Sequence, residues 1–162
     1  MTERTSTDFL AIHCAATRPS HNVTAAEIDE WHKAKGWNGI GYNYFIQRGG
    51  LVEDGRPRDD QGAHVSGYNA VSLGICMAGG VKEEDGLTAE NNFTGEQWKA
   101  LDSLVERMVR CYGSSVVQGH RDFPQVAKEC PSFDAIKWAF DNGYPTPNDW
   151  EAEQTPGKWK TA

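Results

Sequence analysis

The sequence lacks a long apolar run. No stretch approaches the ~18 residues that a membrane-crossing helix needs. The short run Phe9–Ile12 near the N-terminus cannot serve as the apolar part of a signal peptide. The expectation is synthesis in a cytoplasm, with no signal peptide and no membrane partner. An excess of positive charge is also missing, since the formal net charge is −7. Binding a phosphate backbone needs clustered Lys and Arg, so nucleic acid is not the expected main partner. There is no CxxC pair: Cys14, Cys76, Cys111 and Cys130 stand apart. In a reducing compartment they read as thiols or metal ligands rather than disulfides. Internal repeats and low-complexity linkers are absent too. At 162 residues the chain is about one domain long. Such a domain buries roughly two thirds of its unfolded surface and needs no staples. A monomer is expected.

The chain that remains alternates strands and helices. "FLAIHCA" (Phe9–Ala15) is apolar on both faces and reads as an interior strand. Along it Phe9, Ala11 and His13 share one side. "TAAEIDEWHKAKG" predicts a helix with a Thr24/Glu27 capping box, a stop at Gly36 and a buried stripe of Ile28, Trp31 and Ala34. "GYNYFIQRGGLVEDGRP" predicts a hairpin turning at Gly49–Gly50. "QGAHVSGYNA" reads as a loop. "VSLGICMAGG" reads as a buried strand whose small face (Gly74, Cys76, Ala78) suits a close helix. The longest helix follows, capped by Thr94 and Gln97, with a stripe of Trp98, Leu101, Leu104, Val105 and Met108, and ended by Gly113. "SVVQGH" is a third buried strand. "SFDAIKWAFDNG" predicts a last helix capped by Ser132 and stopped by Gly143. The order predicts a single α/β domain with a mixed central sheet flanked by helices. Its expected bounds are an N-terminal extension over 1–8, the domain over 9–144 and a loosely ordered tail over 145–162.

Two of the five histidines, His13 and His120, end predicted strands, and Cys130 lies in a loop before the last helix. Catalytic zinc typically takes three N, S or O ligands and keeps one open position. His13, His120 and Cys130 would supply that set if their strands are neighbours. Their spacing matches no local zinc signature, however. The same residues read equally as two strand-end histidines held by hydrogen bonds and one small buried thiol.

The motifs "AIHCAATRPS", "GYNYFIQRGG", "GAHVSGYNAVSLGICMAGG", "GHRD" and "KECPSFD" occur in one order. In this the chain resembles the type 2 N-acetylmuramoyl-L-alanine amidases, which share a fold with the peptidoglycan recognition proteins. The likeness is greatest to the small phage amidases and runs from about Phe9 to Asn142. It implies zinc-dependent hydrolysis of the amide between N-acetylmuramic acid and L-alanine in peptidoglycan. It also implies an endolysin that is made in a host cytoplasm and acts on the wall after release. The implied zinc ligands are His13, His120 and Cys130, and the implied catalytic groups are Tyr42 and Lys128. Lys128 lies two residues from Cys130, and residues two apart in an extended segment face the same way.

Weaker candidates, for substrate binding, are His64, Asn69 and Trp37, with His21 a rim residue at most. Arg121 and Asp122 are candidates to orient His120, while His32 reads as a surface or half-buried residue. Two departures from the phage pattern stand out: Asn43, where relatives often carry His, and two extra residues between "GHRD" and "KEC". Rival readings are a peptidoglycan-binding module that does not cut, a regulatory protein that binds a polymerase (by resemblance alone), and a cysteine hydrolase using Cys130 with His13 or His120. Non-cutting relatives typically lack the cysteine, so Cys130 favours the enzyme.

Overall fold

The computed structural model describes residues 2–113 and 115–147. Five strands form one mixed sheet: β1 (Phe9–Cys14), β2 (Tyr44–Ile46), β3 (Val52–Asp54), β4 (Ser72–Met77) and β5 (Val116–Gly119). Their order across the sheet is β3-β2-β4-β1-β5. β1 pairs in parallel with both β4 and β5, β2 is parallel to β4, and only β3 runs antiparallel. The expected α/β architecture with a mixed sheet is therefore observed. Among the described residues three helices cover it: α1 (Ala25–Ala34), α2 (Gly95–Tyr112) and α3 (Ala135–Asp141). Among the described residues no helix is long and apolar enough to cross a membrane.

Alternation along the strands divides the sheet into two unlike faces. Leu10, Ile12, Ile46, Leu73, Ile75, Met77 and Val117 point one way. They form the main core with Leu101, Leu104, Val105 and Met108 of α2 and Ala135 and Ala139 of α3. The opposite face is smaller and more polar. There Phe45, Cys76 and Ala78 meet Ala25 and Ile28 of α1, while Ala11 meets Val65 and Phe123. His13 lies on that second side, because it is two residues from Ala11.

The caps show where local signals held and where they did not. At α2 the Thr94 hydroxyl accepts from the Gln97 N–H at 3.1 Å, and the Gln97 side chain accepts from the Thr94 N–H at 3.0 Å. At α1 Thr24 accepts from the Glu27 N–H, but the Glu27 carboxylate turns to His21 at 2.8 Å instead of closing the box. The expected inner stripe of α1 is also corrected. Trp31 is 40% exposed, and the buried positions are Ala25, Ile28 and His32. α3 begins two residues later than expected. Asp134 caps it by accepting from the Lys137 N–H, while the Ser132 hydroxyl donates to the Gly80 carbonyl at 2.8 Å. At the start of the expected tail, the Pro145 carbonyl accepts from the Val117 N–H at 2.9 Å and Thr146 is buried. The rest of that segment, 148–162, lies outside the described residues.

Candidate metal centre

Parallel pairing brings distant residues to one edge of the sheet. β1 and β5 pair through Ile12 and Gly119, so the next residue of each chain, His13 and His120, emerges at the same carboxyl end. Sites in parallel sheets form at that end. The two imidazole centroids are 4.6 Å apart. Cys130 arrives from the loop before α3. Its carbonyl accepts from the Arg121 N–H at 2.9 Å, which ties the cysteine loop to the short 3-10 turn His120–Asp122. Ligand atoms of His13, His120 and Cys130 lie within 4.8 Å of one another, and the Cys130 Sγ is 3.8 Å from the His13 Nδ1. Nitrogen and sulfur bound tetrahedrally to zinc at ordinary bond lengths sit about 3.6 Å apart. The residues present therefore fit a divalent metal by both spacing and donor type.

The electrostatics suit the same use. Burial holds the His13 imidazole well below its ordinary pKa, with smaller contributions from His64, His120 and the Lys128 ammonium. Burial and Lys128 bring His120 down to about 4. Both rings are neutral at neutral pH, and a ligand nitrogen must offer a lone pair. The Cys130 thiol is pushed up, first by its hydrogen bond with the Cys14 thiol and then by burial. A dication reverses that preference, because a coordinating thiol is deprotonated outright. The Cys14 N–H donates to the Cys130 Sγ at 3.3 Å, which favours the thiolate.

Tyr42 is half-buried with its ring 5.0 Å from that of His13. Burial, then the thiols of Cys76 and Cys130, lift its pKa well above the ordinary phenol value. It is therefore an O–H donor near neutrality. Lys128 is exposed, and its charge acts on the imidazoles of both His13 and His120.

The three candidates for substrate contact are spread out. His64 is buried behind His13, with its Nδ1 2.9 Å from the His13 Nε2. The Asn69 Oδ1 accepts from the N–H groups of His64 and Val65, both at 2.9 Å, and so ties down the loop. Trp37 is 40% exposed and packs against His32 with ring centroids 4.6 Å apart and planes tilted by 53°, and the Lys35 ammonium lies over its ring. The pair proposed to orient His120 acts elsewhere. Asp122 accepts from the Gly119 N–H at 2.8 Å, and Arg121 faces Glu129 at 3.9 Å. His21 sits beside Glu27 and Trp31. Asn43 is a buried bracket: it accepts from the Gly74 N–H and faces the carbonyls of Arg56, Pro57 and Asp60.

Two residues near the site escaped the sequence reading. His32 is buried, not superficial. Its Nδ1 accepts from the Gly41 N–H at 2.8 Å, and its ring packs 5.5 Å from Tyr42. The available signal was its place seven residues after Ala25 and four after Ile28, on one helical stripe. Cys14 is the other. It lies beside the candidate ligand His13, and its sulfur is 3.6 Å from the Ser132 hydroxyl.

Comparison with known proteins agrees with this geometry. Residues 3–133 match the family described as N-acetylmuramoyl-L-alanine amidase. The chain is 41% identical over 136 residues to the endolysin of Escherichia phage T7, covering 84% of this chain and 87% of that one. Among solved structures it is similar to the N-acetylmuramoyl-L-alanine amidase LysC from Clostridium intestinale URNW. That match has a TM-score of 0.70 and 29% identity, over 84% of this chain and 83% of the other. The bumblebee protein PGRP-SA shares the fold at a TM-score of 0.70 and 22% identity, over 91% of this chain and 92% of its own. A convergent His, His and Cys set, in a chain matched over this span, places the protein by descent as well as by geometry: it belongs to the N-acetylmuramoyl-L-alanine amidase family.

Proposed function

We propose that the protein is a peptidoglycan amidase of the phage endolysin kind, which hydrolyses the amide between N-acetylmuramic acid and the first L-alanine of the stem peptide. The observation that carries this reading is the convergence of His13, His120 and Cys130 within 4.8 Å, beside a protonated Tyr42. Two imidazoles and a thiolate form a set suited to zinc. His13, His120 and Cys130 would hold zinc, which would supply Lewis acidity toward the scissile carbonyl and lower the pKa of water at the site.

The chain's own groups do the rest. His13 and His120 stay neutral and keep their lone pairs available, for the reasons of burial given above. The Tyr42 O–H donates a hydrogen bond to the oxygen that gains charge as the carbonyl is attacked. Lys128 adds a positive charge on the same side, which stabilises that oxygen or passes a proton to the leaving alanine nitrogen. His64 acts behind His13, and Asn69 holds the His64 loop. Trp37, exposed beyond His32, offers its ring to a sugar face.

Digestion of purified peptidoglycan tests the reading. An amidase frees new alanine amino termini. Release of reducing sugar ends without new amino termini would assign the cut to a glycosidic bond. Chelation followed by zinc rescue separates this account from a cysteine hydrolase, because a thiol enzyme would ignore the chelator.

A further inference from the structure

The chain behind His13 decides where that ring carries its proton. The Ser72 hydroxyl donates to the Tyr68 carbonyl at 2.7 Å, and a hydroxyl has one proton to give. The Ser72 Oγ also faces the His64 Nε2 at 3.4 Å. With its proton already engaged, the Oγ can only accept there, so the His64 Nε2 is the N–H. A neutral imidazole has one N–H, which leaves the His64 Nδ1 as an acceptor. Its partner at 2.9 Å is the His13 Nε2. The His13 Nε2 is therefore the donor, and the His13 Nδ1 carries the lone pair. That Nδ1 is the nitrogen 3.8 Å from the Cys130 Sγ.

We propose that His64 and Ser72 are positioning residues that fix His13 in its Nε2–H tautomer and so aim the Nδ1 lone pair at the metal position. The inference rests on the metal reading only for the use made of that lone pair. Three features show that the relay is built in. His64 is 8% exposed and Ser72 is fully buried, so water does not compete for their polar atoms. The Asn69 side chain holds the His64 backbone N–H. Two glycines also make room for the ring. A Cβ on Gly74 would lie 2.8 Å from the His64 Cγ and Cδ2, and one on Gly62 would lie 2.5 Å from the Cδ2. Metal-bound histidines commonly give their second N–H to a neighbour, and losing that neighbour typically costs about 10–100-fold in metal affinity. Here the neighbour is a second histidine, whose own proton is placed by a serine.

The test is long-range 1H–15N correlation spectroscopy of the histidine rings in the metal-free, full-length protein at neutral pH. The expected result is the Nε2–H tautomer for both His13 and His64. On zinc addition the large shift should fall on the His13 Nδ1. A Nδ1–H tautomer at either residue overturns the proposal. Wild-type protein that binds no zinc would contradict the metal assignment, while the metal-free spectrum would still decide the tautomer.

Two variants add a second readout. In His64→Asn the side-chain oxygen takes the place of the Nδ1 acceptor, and zinc affinity should stay within about threefold of wild type. His64→Leu removes the acceptor, and affinity should fall about 10–100-fold. Equal losses in the two variants would overturn the relay. If His64→Leu does not fold, Ser72→Ala replaces it. Loss of the hydroxyl leaves the Ser72 backbone as the remaining hydrogen-bond partner of the His64 ring, so part of the His64 population should move to the Nδ1–H form; an unchanged spectrum would assign the placement of that proton to the backbone and overturn the part given to the Ser72 hydroxyl.

Discussion

The two faces of the sheet are built from alternate residues of the same strands, yet they carry different chemistry. Toward α2 and α3 the strands send Leu10, Ile12, Leu73, Ile75, Met77 and Val117, and the helices answer with leucine, valine, methionine and alanine. Toward α1 the same strands send His13, Gly74 and Cys76, and the loops bring in His64 and Tyr42, while Cys130, packed against the first core, reaches His13 at the end of the sheet. The first face is held by burial of apolar area, which is non-directional and forgiving of detail. The second is held by directional bonds among buried polar groups, each of which needs a partner. The difference teaches that one layer supplies stability while the other is free to hold polar, reactive groups.

Substitutions on each face should separate the two roles, and the largest effect falls on the apolar side. Leu104→Ala should lower stability by about 2–5 kcal/mol, the usual range for a fully buried leucine. Its turnover per folded molecule should match wild type. Denaturant unfolding together with wall-digestion rates checks both parts. A large loss of turnover in stably folded protein would mean that the faces are coupled. On the polar side Lys128→Ala should leave zinc stoichiometry and melting temperature unchanged while cutting the hydrolysis rate on the order of a hundredfold. Full activity in that variant would remove Lys128 from the mechanism.

The smallest expected effect is on pH. Burial lowers the pKa of His13, brings His64 to about 3 and brings His120 to about 4. In the unfolded chain these rings titrate near 6.5. Between pH 4 and 6.5 the unfolded state therefore binds more protons, and stability of the metal-free protein rises with pH in that window. Above it these rings contribute no slope. Denaturant midpoints at pH 4.5 and 7 should differ, with the lower value at 4.5. His64→Asn should narrow the gap, and an unchanged gap would show that His64 is not among the groups responsible.

The same division explains what could be read from sequence. The α2 stripe and its Thr94/Gln97 box were legible because each depends on residues three or four apart. The strand pattern was legible for a similar reason. On the polar face local reading failed at particular residues. Trp31 reads as a core residue and His32 as a surface or half-buried one, but Tyr42 and Trp37 supply packing partners that enclose His32. Ser132 looked like a cap, but its hydroxyl is directed to Gly80, 52 residues away. Gly74 looked like space for a helix and instead makes room for an imidazole. The link from His13 to His64 joins residues 51 apart and leaves no periodic trace. The candidate ligand set is legible through resemblance to a family, since spacing alone leaves His13, His120 and Cys130 open to another reading.

The most direct test of the central claim is elemental analysis of purified, active protein beside Cys130→Ala. One zinc per chain is predicted in the first. In the second, zinc should be lost together with the release of alanine amino termini from peptidoglycan, while the fold stays intact. Active protein with no bound metal, or a Cys130→Ala variant that still degrades the wall at the wild-type rate, would contradict it.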